Sequence, residues 1–185
     1  AAIPEHIMTK RVLIIATDGF EQSELIEPKK ALEAEGFETV VASIKPGKIR
    51  GWDDTDWGRD VPVDQTLGDV DPAQYDALVL PGGQINPDKL RMELQAVDLV
   101  RRFVADGKVV GAICHGPWML VEADAARGRL LLGARAALGA GARRLGLLVA
   151  GRPDGRARRR RAAADGVAGK PAARLRRLAL VDRNA

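Results

Sequence analysis

Apolar residues alternate between two rhythms along the first two thirds of this chain. Arg11-Val-Leu-Ile-Ile-Ala16 is a short, unbroken, β-branched run, the pattern of a strand covered on both faces. Phe37 to Ile44, Asp76 to Pro81 and Val109 to Ile113 read as further strands. Between the runs the spacing turns helical. Leu25, Ile26, Ala31 and Leu32 form one apolar stripe, with Ser23 or Asp18 as its expected cap and Gly36 as its end. Leu90, Leu94, Val97, Val100 and Val104 form another over residues 90–105, stopped by Asp106 and Gly107. The stretch carrying Gly47, Gly51, Gly58, Trp52 and Trp57 reads as a polar loop. Strand–helix alternation of this kind predicts an α/β fold with a mainly parallel sheet and helices on both faces. Right-handed crossovers then bring the strand carboxyl ends to one edge. Three loops meet there: residues 18–21, 82–88 and 114–116.

Chemistry concentrates at the third loop. Cys114, the one cysteine in the chain, follows the Val109–Ile113 run and precedes His115, Gly116 and Pro117. Glycine and proline close a turn and open a helix, since proline suits the first helical position. The result is a nucleophile elbow with sulfur in place of a serine hydroxyl. A thiol near a helix N-terminus is expected to have a lowered pKa. Glu21, after the first strand, is the expected carboxyl partner of Cys114, sharing its proton or holding an oxidised sulfur. His115 is the expected acid–base neighbour, although adjacent side chains at a turn often diverge, so a third residue is needed to orient its ring. The backbone N–H groups of Gly82, Gly83 and His115 are candidates for an oxyanion hole. Gly82-Gly83 without a following Gly-Lys-Ser/Thr argues against a nucleotide loop. The acidic run Asp53, Asp54, Asp56 and Asp60 reads as a solvated loop rather than a metal site.

Composition narrows the class. A chain of 185 residues can bury a core as one domain without staples. A solitary cysteine allows no internal disulfide, and two histidines, His6 and His115, argue against a histidine-rich metal site. No cofactor is expected. No run of about eighteen apolar residues occurs, and the start lacks a signal-peptide layout, so the expectation is a soluble, cytoplasmic protein without a membrane partner. Charge is divided unevenly. Residues 1–125 hold 13 Lys and Arg against 22 Asp and Glu, whereas residues 126–185 hold 16 against 3. From Arg127 to Arg183 there is no Ser, Thr, Gln, Asn, Ile, Phe, Tyr or Trp. Such a basic stretch, with four consecutive arginines from Arg158, would ordinarily suggest nucleic acid. Its restriction to residues with G/C-rich codons points instead to a G/C-rich gene read out of frame after about Arg129, so no nucleic-acid partner is expected.

Three segments, in order and at their spacing, resemble the ThiJ/PfpI/DJ-1 superfamily, and within it the PfpI-like branch. They are Arg11–Ala16 leading into Asp18-Gly-Phe-Glu-Gln-Ser-Glu-Leu, then Asp76-Ala-Leu-Val-Leu-Pro-Gly-Gly83, and Ala112-Ile-Cys-His-Gly-Pro117. The resemblance covers residues 10–129 of what is expected to be a single domain over 1–185; residues 130–185 are atypical of it. It implies a three-layer α/β/α sandwich of flavodoxin-like type, with Cys114 as nucleophile, Glu21 as its carboxylate partner and His115 as the acid–base residue. It implies oxyanion donors from the Gly83 and His115 backbone. It further implies that Asp88 completes a triad from a neighbouring subunit, and hence a homo-oligomer. Relatives of this kind act as glyoxalases or deglycases on small carbonyls, or as peptidases on peptides. The alternative class is a non-enzymatic oxidative-stress sensor or chaperone that uses oxidation of Cys114.

Overall fold

Each apolar run forms a strand, and the computed structural model describes residues 10–126 together with the backbone of Leu147–Ala150. In chain order the elements are β1 (Arg11–Ile15), β2 (Phe20–Glu21), α1 (Gln22–Ala34), β3 (Glu38–Ser43), β4 (Gly47–Asp53), β5 (Asp56–Val63) and β6 (Gln65–Thr66). There follow β7 (Ala77–Leu80), α2 (Ile85–Leu90), α3 (Leu94–Ala105), β8 (Val109–Ile113), α4 (Trp118–Glu122) and β9 (Leu147–Ala150). The main sheet has the order β6-β3-β1-β7-β8-β9. It is parallel except at the β8–β9 edge.

Alternation along the strands sorts their side chains onto two faces. Leu13, Ile15, Ala42, Leu78, Leu80, Val110 and Ala112 pack with Val100 and Phe103 of α3 and with Met119 and Leu120 of α4. Ile14, Ala16 and Val41 pack on the other face against Phe20, Leu25, Ile49 and Val61. Each fully buried Leu or Ile contributes about 2 kcal/mol, so the two-sided burial of β1 anchors the domain. The chain runs outward from β1 through β3 to β6, then returns to lay β7 and β8 on the other side. This reversal opens a crevice at the carboxyl ends of β1 and β7, where such sheets bind ligands.

The expected polar loop after β3 is instead a hairpin. β4 and β5 pair antiparallel and turn at Asp54, whose φ is +58°, and β2 joins them in a second, three-stranded sheet. Its inward positions, Ile49 and Val61, are diluted by Gly and Asp, which hid the period of two. Trp52 and Trp57 meet edge to face across the hairpin, 5.5 Å apart. Gln22 fastens α1 to it, donating to Asp53 at 2.9 Å and accepting from the Arg59 N–H at 2.6 Å. The aspartates border the hairpin, and among the described residues no group of three or more His, Cys, Asp or Glu is placed to hold a metal.

Two further expectations are corrected. The helix predicted over 90–105 begins only at Leu94, because Leu90 ends α2 and residues 91–93 break the chain between them; Leu94 opens α3 with 85 % of its surface exposed. The residue preceding α1 is Glu21, with no side-chain cap; Asp18 instead accepts the Arg50 N–H at 2.8 Å and holds its loop to β4. The far end of α1 follows expectation: Gly36 takes φ +82° and Phe37 N–H reaches back to the Leu32 carbonyl. Among the described residues no helix is long and apolar enough to cross a membrane.

Candidate active site

β8 delivers Cys114 to a turn so tight that its φ is +52°. The Gly116 N–H closes the turn on the Ile113 carbonyl at 2.7 Å. A non-glycine residue held in this region costs on the order of 1 kcal/mol, and the cost places the sulfur outside the sheet. The thiol is exposed, as is His115. Glycines let the neighbouring loop close in. A Cβ on Gly82 would stand 2.8 Å from that of Cys114, and one on Gly116 would strike the Leu80 carbonyl oxygen.

The carboxylate that reaches the sulfur is Glu24, not Glu21. Glu21 lies in extended backbone before the helix, is half-buried, and faces the Ser23 hydroxyl at 3.4 Å. Glu24, in the first turn of α1, is 4 % exposed. Its Oε2 accepts the Gly82 N–H at 2.9 Å, and the Cys114 thiol donates to it. Burial raises the Glu24 pKa to about 6, the nearby charge of Glu21 adds to the rise, and hydrogen bonds from Gly82, Cys114 and Gly83 oppose it.

The same pairing reverses the expected shift of the thiol. Burial first, and the Glu24 charge second, push Cys114 above its ordinary value, against hydrogen bonds from the His115 and Gly83 N–H groups. α4 has five residues and begins four positions beyond the sulfur, so its dipole is outweighed by an adjacent carboxylate. Glu24 and Cys114 therefore titrate as a coupled pair. Near pH 7 the carboxylate is largely ionised and the sulfur protonated, with the thiol hydrogen directed at the carboxylate.

Of the three candidate backbone donors, the Gly82 N–H donates to Glu24. The N–H groups of Gly83 and His115 both face the sulfur, and Gly83 holds φ +83° with no room for a Cβ between Glu21 N and Gly19 O, each 2.6 Å away. His115 Nδ1 lies 3.8 Å from Cys114 Sγ. Asp88 is on α2 and pairs with Arg91 of its own chain at 2.8 Å.

Asn86 escaped the sequence reading. It is fully buried, accepts the Thr17 N–H at 2.8 Å and donates to the carbonyls of Pro81 and Gly82 at 2.9 and 3.2 Å. One amide thus staples the loop after β1 to the loop after β7. Its position between Ile85 and Pro87, after a Gly-Gly strand end, was the available signal. Asn86→Leu strands the Thr17 N–H and the Pro81 carbonyl, while the Gly82 carbonyl keeps the Glu21 N–H at 3.3 Å; it is expected to cost about 2–4 kcal/mol, read as a lowered urea midpoint at unchanged slope.

A strained cysteine elbow beside a buried carboxyl, at the carboxyl edge of a flavodoxin-like sandwich, defines the PfpI type of cysteine enzyme. The DJ-1/PfpI family model matches residues 10–137, and the chain belongs to that family. Deglycase TK1284 of Thermococcus kodakarensis is 44 % identical over 119 residues, covering 64 % of this chain and 69 % of that protein. Protein/nucleic acid deglycase 2 of Escherichia coli is 40 % identical over 125 residues, covering 67 % and 70 %. Among solved structures, oxidized Toxoplasma gondii DJ-1 superposes with a TM-score of 0.59 at 25 % identity, each chain being 65 % covered. The chain thus spans just under two thirds of that structure.

Proposed function

We propose that this protein converts small reactive carbonyls, 2-oxoaldehydes or their adducts with amines, by covalent catalysis at Cys114. The observation that carries this reading is the Glu24 carboxyl hydrogen-bonded to an exposed thiol on a strained elbow. Sulfur attacks the aldehyde carbon and forms a C–S bond, while Glu24 takes the thiol proton. The developing oxyanion is met by the Gly83 and His115 N–H groups and is protonated to a thiohemiacetal. His115 or Glu24 then moves the proton from the former aldehyde carbon to the neighbouring keto carbon, through an enediol, leaving a 2-hydroxyacyl thioester. Water cleaves the C–S bond, the 2-hydroxy acid departs, and sulfur regains its proton. No electron leaves the substrate: one carbon is oxidised as its neighbour is reduced. From an amine adduct the same attack releases the amine.

A site open to solvent and floored by loops suits small molecules or short peptides. The Asp88 carboxylate is exposed on α2, which suits its reading as the residue a second copy of this chain would contribute. With methylglyoxal supplied, lactate is expected to accumulate at neutral pH, followed by an enzymatic lactate assay. Absence of both lactate and amine release, in protein whose thiol still titrates, would end this reading. An exposed sulfur beside a protonatable carboxyl also favours the sensor reading, and an oxygen adduct on Cys114 after peroxide treatment, seen by intact mass, tests it.

A further inference from the structure

His115 cannot be oriented by the turn that carries it, because its side chain is exposed and its link to the sulfur spans 3.8 Å. The packing around the ring comes from α4 and from the turn that follows α2. Trp118 follows one turn later, its N–H donating to the His115 carbonyl at 3.0 Å, and its ring lies 5.4 Å from the imidazole at 56°. Trp118 is itself 47 % exposed, so core packing does not hold it. Arg91 does: its guanidinium carbon sits 5.4 Å over the indole. Arg91 is held in turn by Asp88 at 2.8 Å and faces Glu122 at 3.9 Å. The four side chains form a series, Asp88 to Arg91 to Trp118 to His115, that ends at the nucleophile.

We propose that Trp118, braced by Arg91, is the positioning residue that holds the His115 imidazole against the Cys114 sulfur. The inference rests on His115 serving that sulfur, as proposed above. An aromatic face restricts an imidazole without hydrogen-bonding it, so both ring nitrogens stay available for proton transfer. Arg91 keeps the indole upright by a cation–π contact that needs no buried surface. In this role Asp88 acts within its own chain, through Arg91, as well as serving as a candidate contribution to a second copy.

Alkylation of Cys114 by iodoacetamide tests this without any turnover, so a failure of the carbonyl chemistry leaves the test intact. The imidazole can exchange a proton with the sulfur, so the alkylation rate is followed across pH. Glu24, Asp88, Arg91 and Glu122 are the other charges nearby, and the part of the profile that changes in His115→Gln is the part assigned to His115. Trp118→Leu keeps apolar bulk but no ring, and is expected to reproduce the His115→Gln profile, with a loss of roughly five- to tenfold in rate at pH 6. Trp118→Phe is expected to restore the wild-type profile. Arg91→Met, which keeps the alkyl stem without the charge, is expected to lose part of the His115-dependent rate. A Trp118→Leu profile superimposable on wild type overturns the proposal, as does a Phe variant that behaves like Leu. An unchanged Arg91→Met profile removes Arg91 from it. His115 and Trp118 are exposed and Arg91 is half-buried, so all four variants are expected to fold, which far-ultraviolet circular dichroism checks.

Discussion

Cys114→Ser is expected to lower lactate formation from methylglyoxal by about 10⁴-fold or more, the scale seen when a covalent nucleophile is removed. Serine occupies the same strained backbone and its hydroxyl still donates to Glu24, so geometry is preserved while nucleophilicity is not. Its hydroxyl ionises far above any working pH, and the buried carboxylate opposes ionisation further, as it does for the thiol. Stability is expected to stay within about 1 kcal/mol of wild type, so lost activity reads as chemistry rather than unfolding. Retention of more than a tenth of the activity would show that sulfur is not the attacking atom.

Glu24→Gln separates a reactive thiol from a productive one. Glutamine keeps an oxygen to accept the Gly82 N–H but cannot carry the thiol proton. Turnover is expected to fall by about 10²–10⁴, the range for a lost general base. Alkylation of Cys114 near pH 8 is expected to speed up, because the negative charge that pushes the thiol pKa upward is gone. Opposite movement of the two rates is the signature of Glu24 acting as base; parallel losses would mark a merely structural role.

The same substitution carries a stability signature whose sign follows from the raised Glu24 pKa. The folded state holds this proton more tightly than the unfolded chain, about 6 against 4.5. The associated stabilisation, about 2 kcal/mol, is complete below pH 4.5 and is lost as the pH rises through about 6. The replacing amide does not titrate. The stability of the Glu24→Gln variant relative to wild type is therefore expected to be about 2 kcal/mol more favourable at pH 7.5 than at pH 4.5, measured by urea unfolding at both.

Much of this was legible in the residues. The strands were, because a β-branched run buried on both faces needs no knowledge of its partners. The elbow was, because Ile113-Cys114-His115-Gly116-Pro117 determines a turn within its own five residues. The hairpin was not, since its core positions make sense only against Phe20 and Leu25 from another layer. Leu94 was misread for a related reason: it fits the helical stripe, but the break at residues 91–93 resets the phase and turns it outward.

The choice between Glu21 and Glu24 belongs to the same class. Both stand near the end of β1, and spacing alone treats them alike. What separates them is the way α1 seats under a loop 58 residues away, where Gly82 offers an N–H to one and the other remains at the rim. The raised thiol pKa followed from burial first and from that choice second, since a carboxylate in contact adds to the rise and a short helix dipole does not offset it. Local pattern, which depends on neighbours in the chain, determined the elements, the sheet and the position of the sulfur. Charge, proton ownership and ring orientation depend on distances between groups remote in sequence, and only the tertiary structure decided them.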